Sequence, residues 1–372
     1  MLKIAVLPGD GIGPEVVAAA MAVLEAAAKV FSIAYVATSY PFGGHAIDSV
    51  GEAFPLETKV GCLASDAVLL GAVGGANWDG LPGLERPESA LLNLRSAMGV
   101  YANLRPAKLY KHMVDASPLK ASLVPEGFDL LVVRELTGGI YFGQKGCIQE
   151  NHCQSAFDVE SYSEPEVRRI AQRAFEAALI RGRSVVSVDK ANVLESSKLW
   201  RRVVEAVALD YPGVTLRHMY VDNAAMQLVL NPSQFDVVLT SNLFGDILSD
   251  EASILTGSIG LLPSASLGDG HRGLYEPIHG SAPDLAGTDR ANPIGTILSV
   301  AIMLSMSLGY KEAAVAVEQA VDKVLKEGYC TQDLSSIHKN VQVIGTREMG
   351  QRIAEAVEMR GKADDQEKKK KH

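Results

Sequence analysis

The chain opens on an apolar run, Ile4-Ala5-Val6-Leu7, broken at once by Pro8-Gly9-Asp10-Gly11-Ile12-Gly13-Pro14-Glu15. Beyond it Val17, Ala20, Met21, Leu24 and Ala28 recur at helical spacing, which predicts a strand, a tight turn and a helix. The alternation continues with strand-like runs at Ala67–Gly71, Leu130–Val133, Val185–Val188, Leu216–Val221 and Val237–Thr240, separated by helical or loop segments. That order predicts an α/β fold. Ser163-Glu164-Pro165-Glu166 has the S-x-x-E form of a capping box. It precedes Val167, Ile170, Ala171, Ala174, Phe175, Ala178 and Leu179, which predicts a helix ending near Gly182. Between Gly138 and Ser163, Ile140-Tyr141-Phe142 and a β-like run near Ala156–Val159 flank a polar stretch, read as a hairpin arm suited to a dimer contact.

The apolar stretch Ile294–Leu308 carries Ser299, Ser305 and Ser307 and reads as a buried helix, too short and interrupted to span a bilayer. The turn after Leu7 leaves no room for the apolar region of a signal peptide. With 372 residues, 47% hydrophobic and 21% charged, the chain is too apolar for disorder and long enough for two domains. The formal charge of −9 argues against a nucleic-acid partner. The body is more acidic still, because residues 362–372 hold five Lys against two Asp and one Glu; this end is expected to be disordered. Cys62, Cys147, Cys153 and Cys330 include no C-x-x-C pair, which suggests a reducing compartment, hence a cytoplasmic protein with neither disulfide framework nor zinc cage.

The glycine loop at residues 9–13 invites a dinucleotide reading, yet G-x-G-x-x-G fails in either register, because Pro14 and Val16 stand where the third glycine belongs. A tight strand-to-helix turn is the simpler account. More chemistry lies in Ser241–Glu251, where Asp246 and Asp250 are four residues apart. On a helix this stacks two carboxylates on one face, a repulsion that a hard cation such as Mg²⁺ or Mn²⁺ would offset. An acidic first turn stabilised by the helix dipole is the alternative. Asp222 follows one strand, and Lys190 and Asn192 follow another, at the ends where ligands gather in open α/β sheets. A lysine among cations in a cleft can serve as a base; alone, it is a solvated surface group. Arg95, Arg105 and Arg134 offer planar forks for carboxylates, or ordinary salt bridges. Tyr141 is either a general acid or a packed core residue.

Four long motifs resemble the isocitrate/isopropylmalate dehydrogenase family of β-hydroxyacid oxidative decarboxylases over nearly the whole chain, from Leu7 to about Arg360. They are Ala102-Asn103-Leu104-Arg105-Pro106, the run from Arg134 to Gly143, Asp189-Lys190-Ala191-Asn192-Val193-Leu194, and the run from Asn242 to Asp250. The resemblance implies a two-domain isopropylmalate-dehydrogenase-like α/β fold, with mixed sheets flanked by helices and not a Rossmann fold. Residues 1–100 plus 258–361 would form the first domain, with both termini and most of the cofactor site. Residues 101–257 would form the second, with the dimer interface, the arm at about 138–163, and the metal and catalytic residues.

It also implies roles. Asp222, Asp246 and Asp250 would hold Mg²⁺ or Mn²⁺, with Asp222 and Lys190 reaching across a homodimer. Arg95, Arg105 and Arg134 would grip the substrate carboxylates, Asp222 and Glu88 would also line the substrate site, and Leu91 and Leu92 would wall an isopropyl group. Lys190 would take the hydroxyl proton, and Tyr141 would help protonate the enolate left by CO₂ loss. That chemistry turns 3-isopropylmalate into 4-methyl-2-oxopentanoate, a leucine precursor. The cofactor would lie along His279, Gly280, Ser281, Ala282, Pro283, Asp284 and Leu285, with Asn292, Gly74, Gly75, Pro87 and Glu88. A carboxylate at Asp284 favours NAD over NADP, since it accepts from a ribose hydroxyl and repels a 2′-phosphate. Ser89 matches a serine of isocitrate-using relatives, whereas Leu91 and Leu92 leave a third carboxylate without a partner.

Overall fold

The computed structural model describes residues 1–150, 153–335 and 341–370. The chain divides into two compact units, residues 1–100 with 256–372, and residues 101–255. In chain order the first unit begins with strand β1 (Leu2–Gly9), helix α1 (Gly13–Phe31), β2 (Tyr35–Ser39), α2 (Gly44–Val50), α3 (Leu56–Leu63), β3 (Ala67–Ala72) and α4 (Pro87–Met98). The second unit comprises β4 (Ala102–Leu109), β5 (Phe128–Glu135), β6 (Lys145–Glu150), β7 (Cys153–Asp158), α5 (Glu164–Leu179), β8 (Ser184–Asp189), α6 (Glu195–Ala208), β9 (Thr215–Tyr220), α7 (Val221–Leu230), β10 (Val237–Thr240) and α8 (Asn242–Leu255). The first unit then resumes with β11 (Pro263–Leu267), β12 (Gly273–Pro277), α9 (Ile294–Met306), α10 (Lys311–Lys326), α11 (Gln332–Ser335) and α12 (Thr346–Lys370).

Within the first unit the strands run β2-β1-β3-β12-β11, parallel except for the antiparallel pair β11–β12. Within the second they run β4-β5-β10-β8-β9, parallel except for β4–β5. Both are mixed sheets flanked by helices, and neither has the strand order of a dinucleotide-binding Rossmann fold. Helix α9 packs against β11, β12 and α1, which explains its nearly uninterrupted apolar sequence. Among the described residues no helix is long and apolar enough to cross a membrane.

The core of the second unit joins Phe175, Trp200, Val204 and Leu239. Helix α5 starts at the expected capping box, with the Ser163 N–H donating to Glu166 Oε2 at 2.7 Å. It stops at Leu179, short of Gly182, because the Ala178 carbonyl accepts from both Arg181 and Arg183, and Arg183 itself adopts the left-handed conformation. The arm is antiparallel, β6 on β7, but its first strand starts at Lys145 and excludes Ile140-Tyr141-Phe142. Gly139, at φ +76°, forms instead a 3₁₀ turn over Gly139–Tyr141 closed by the N–H groups of Phe142 and Gly143. Helix α12 runs to Lys370, and residues 371–372 lie outside the described residues.

Phe175→Ala should lower the stability of the second unit by about 3–5 kcal/mol. The exposed Leu209→Gln should change it by less than about 0.5 kcal/mol. Denaturant midpoints of the two variants check the contrast.

Candidate active site

Where β5 and β10 end and β4 begins, two arginines meet two carboxylates. Arg134, the penultimate residue of β5, is 5% exposed, and a guanidinium buried that deeply needs partners on every edge. Its Nε and Nη2 donate to Asn242 Oδ1 at 3.0 and 2.8 Å, and its Nη1 donates to Asp246. Helix α8 begins directly after β10, so its first two turns deliver Asn242 and Asp246 to this arginine. Gly245 makes the approach possible: a Cβ there would lie 2.7 Å from Arg134 Cγ. Arg105, on β4, donates from Nε to Asn103 Oδ1 (2.6 Å) and from Nη1 to Ser249 Oγ (2.8 Å) and Asp250 Oδ1 (3.2 Å). The same Nη1 is 3.5 Å from Asp246 Oδ1.

Asp246 and Asp250 thus share one helix face, as their spacing predicts. Burial raises the pKa of Asp250 and the Asp246 charge adds to it, while Arg105 and Arg134 oppose the shift. Tyr141 is not a core residue: it is 40% exposed, and its hydroxyl donates to Asp246 Oδ2 at 3.0 Å. Partial burial and then the Asp246 charge raise its pKa, so the phenol keeps its proton at neutral pH.

Lys190 and Asp222 form a separate pair. They follow the adjacent parallel strands β8 and β9, and Lys190 Nζ lies 2.9 Å from Asp222 Oδ1. The hydrogen bond from Lys190 lowers the pKa of Asp222, whose side chain remains 63% exposed in the first turn of α7. Among the described residues no three His, Cys, Asp or Glu side chains are grouped to hold a metal.

In the first unit α4 carries Glu88, Leu91, Leu92 and Arg95 at helical spacing. Leu91 is half-buried against the core and Leu92 is exposed. Arg95 donates to Glu276 Oε1 at 2.7 Å, between side chains only 15% and 10% exposed. Pro87 is buried at the start of α4, and the Glu88 carboxylate fills the space a Cβ on Gly74 would need. Gly75 stands beside Trp78 and Pro283. A cavity of about 270 Å³ is lined by Ile12, His279, Ala282, Leu285, Asn292 and Asp333, among others. His279 Nδ1 is 2.9 Å from the Gly280 carbonyl, its Nε2 is buried without a partner, and burial lowers its pKa. Ser281 is buried, Gly280 is open, and Asp284 is exposed on the 3₁₀ turn Pro283–Leu285.

The glycine loop backs this segment rather than cradling a phosphate by the failed fingerprint. The Ile12 N–H donates to the Ser281 carbonyl at 2.8 Å, and a Cβ on Gly11, at φ +57°, would lie 2.0 Å from that oxygen. Asp10 accepts from the N–H groups of Gly44, His45 and Gly74 at 2.7–2.8 Å, tying the loop at Gly74 to the end of β1. Sequence reading gave no part to Asp10, Asn242, Glu276 or Asp333. Asn242 lies inside the last of the long motifs and Glu276 just before the cofactor segment, and each is polar beside apolar neighbours, a usable signal. For Asp333, whose Oδ2 accepts from Asn292 at 3.0 Å, the chain offers none.

A model of the isocitrate/isopropylmalate dehydrogenase family matches residues 3–353. The chain belongs to that family. Within it, the chain is 57% identical over 351 residues to 3-isopropylmalate dehydrogenase of Clostridium acetobutylicum, covering 94% of this chain and 98% of that one. It is 53% identical over 358 residues to the protein of the same name from Desulfitobacterium hafniense, covering 96% and 100%. Among solved structures, isocitrate dehydrogenase from Methylococcus capsulatus superposes with a TM-score of 0.84 at 33% identity, over 96% of this chain and 100% of that one. A beta-decarboxylating dehydrogenase from Thermococcus kodakarensis gives 0.79 at 37% identity, over 96% and 97%. The isocitrate/isopropylmalate dehydrogenase match spans both units and every site residue named above.

Gly245→Ala should destabilise the second unit by about 1–3 kcal/mol, because the added methyl collides with Arg134 and Thr240. Thermal denaturation measures it, and turnover should fall further than stability as Arg134 is displaced.

Proposed function

We propose that this dehydrogenase-family chain catalyses the NAD-dependent, Mg²⁺- or Mn²⁺-dependent oxidative decarboxylation of 3-isopropylmalate to 4-methyl-2-oxopentanoate and CO₂, in leucine biosynthesis in the cytoplasm. The observation that carries this reading is the cluster of Arg105, Arg134, Asp246, Asp250 and Tyr141, in a chain more than half identical to relatives bearing the 3-isopropylmalate dehydrogenase name.

Charge arithmetic supports a metal. Two guanidinium groups and two carboxylates cancel, so a dicarboxylate needs further positive charge before it can bind. The repulsion between Asp246 and Asp250 and the raised pKa of Asp250 fit a hard divalent cation, and carboxylates are the ligands such ions prefer. Asp246 and Asp250 would hold it from one chain, with Asp222 supplied by a second copy. The exposed apolar side chains Met226, Val229 and Leu230 on α7 and Ile247 and Ile254 on α8, two helices that pack together, suit the interface of a homodimer. The same contact would bring Lys190 to the second copy's substrate.

A divalent ion held by Asp246 and Asp250 with a second copy's Asp222 would supply Lewis acidity, and NAD⁺ would supply the hydride acceptor. Arg105 and Arg134, with Arg95, bind and orient the carboxylates. Lys190 takes the hydroxyl proton as C2 is oxidised. After CO₂ departs, Tyr141, which keeps its proton at neutral pH, protonates the carbon left behind. The cavity at His279, Asn292 and Leu285 suits an adenosine moiety, offering an apolar wall and an unpartnered buried nitrogen. The exposed Asp284 suits a ribose diol.

The reading of 3-isopropylmalate over isocitrate gains from Ser89, whose hydroxyl donates to the Gly83 carbonyl and is thereby engaged, while Leu91 and Leu92 offer no partner for a third carboxylate.

Two outcomes check the proposal. Lys190→Ala and Asp246→Asn should each lose nearly all turnover as homodimers, while their co-expression restores activity, since each mixed dimer keeps one intact site; no restoration contradicts the shared site. Asp284→Ala should lower kcat/KM for NAD⁺ and raise it for NADP⁺, and an unchanged ratio contradicts the assignment of Asp284.

A further inference from the structure

We propose that Asp189, Arg201 and Tyr220 form a strut presetting Lys190 and Asp222 as one unit, which makes Arg201 a positioning residue for proton transfer at Lys190. The proposal rests on the reading of Lys190 as the base. Asp189 and Tyr220 are the last residues of β8 and β9 and face each other in register. Lys190 follows the first directly, and Asp222 lies two residues beyond the second. The Asp189 carboxylate is 1% exposed, so its charge requires a partner. Arg201, on α6, provides a two-pronged one, Nε to Oδ2 and Nη2 to Oδ1, both at 2.9 Å. The guanidinium also lies over the Tyr220 ring, 5.3 Å from its centroid. One side chain therefore touches the residue before Lys190 and the residue that caps the helix bearing Asp222.

The backbone around Lys190 is held by hydrogen bonds to Asp189 and to its neighbours in the chain. Asp189 Oδ1 accepts the Ala191 N–H at 2.9 Å, and Ser197 Oγ, one turn before Arg201 on α6, accepts the Lys190 N–H at 3.1 Å. The Lys190 carbonyl accepts from Val193 and Leu194 at 2.9 and 3.0 Å. Only the side chain of Lys190 remains to be placed, and it reaches Asp222. Burial and the nearby Arg201 lower the pKa of His218, whose Nδ1 is 3.9 Å from Asp189 Oδ2, so it adds no competing charge to the pair at neutral pH. A buried ion pair adds little stability over apolar packing; what it adds here is a fixed angle between two strand ends.

Arg201→Lys keeps a positive charge against Asp189 but loses the fork and the stacking. With Mg²⁺, NAD⁺ and 3-isopropylmalate saturating, its kcat should fall about 10-fold or more, as when the partner that orients a functional group is lost. KM for NAD⁺, assigned to the other unit, should stay unchanged. Placed in a Lys190→Ala background, the same substitution should cause a smaller fold-loss than in the wild type, because only the placement of Asp222 is then left to disturb; general structural damage would cost the same in both. Tyr220→Leu, altering a half-exposed ring, should lower kcat in the same direction, and it decides the matter if Arg201→Lys does not fold. Wild-type kcat in Arg201→Lys, or an equal loss in the Lys190→Ala background, overturns the strut. Wild-type turnover by Lys190→Ala itself overturns the reading beneath it, which is a distinguishable failure.

Discussion

Two buried guanidinium groups set the terms for the second unit. Arg105 and Arg134 sit where strands begin and end, almost out of reach of water, and neither can shed its charge. The oxygens that meet them answer that fact: Asn103, Ser249 and Asp250 on Arg105, Asn242 on Arg134, and Asp246 on both, the two carboxylates brought by one helix. The absence of a side chain at Gly245 follows from the same demand for space. On the proposed reading this cluster takes up an anionic substrate together with a divalent cation.

The second dependence is on register. Because β8 and β9 are parallel neighbours, the residues that follow them emerge side by side, and Lys190 and Asp222 meet. They do not join Asp246 and Asp250 in a three-ligand group within the described residues. On the proposed reading each copy holds two halves of two sites, and the apolar face of α7 and α8 brings them together.

Legibility from sequence followed the range of the forces involved. Helix α5 was readable from its start because a capping box is a contact among four consecutive residues, and β10 running into α8 was readable from a change of period. The i,i+4 spacing of Asp246 and Asp250 survived into the structure for the same local reason. The start of the arm was not, since the positive φ at Gly139 goes with a bond from its N–H to the Ser161 carbonyl, in the segment between β7 and α5. Arg95 with Glu276, and Asn292 with Asp333, are pairs set by the fold and invisible to spacing. The glycine loop was correctly read as a turn, yet what it supports, the Ser281 carbonyl, lies far along the chain.

The most direct test of the account is NAD⁺ reduction, followed by absorbance, across 3-isopropylmalate, isocitrate, D-malate and tartrate with Mg²⁺, repeated with EDTA and with NADP⁺. The account predicts fast turnover of 3-isopropylmalate with NAD⁺, abolished by EDTA and weak with NADP⁺. Preference for isocitrate, or turnover undiminished by EDTA, would contradict it.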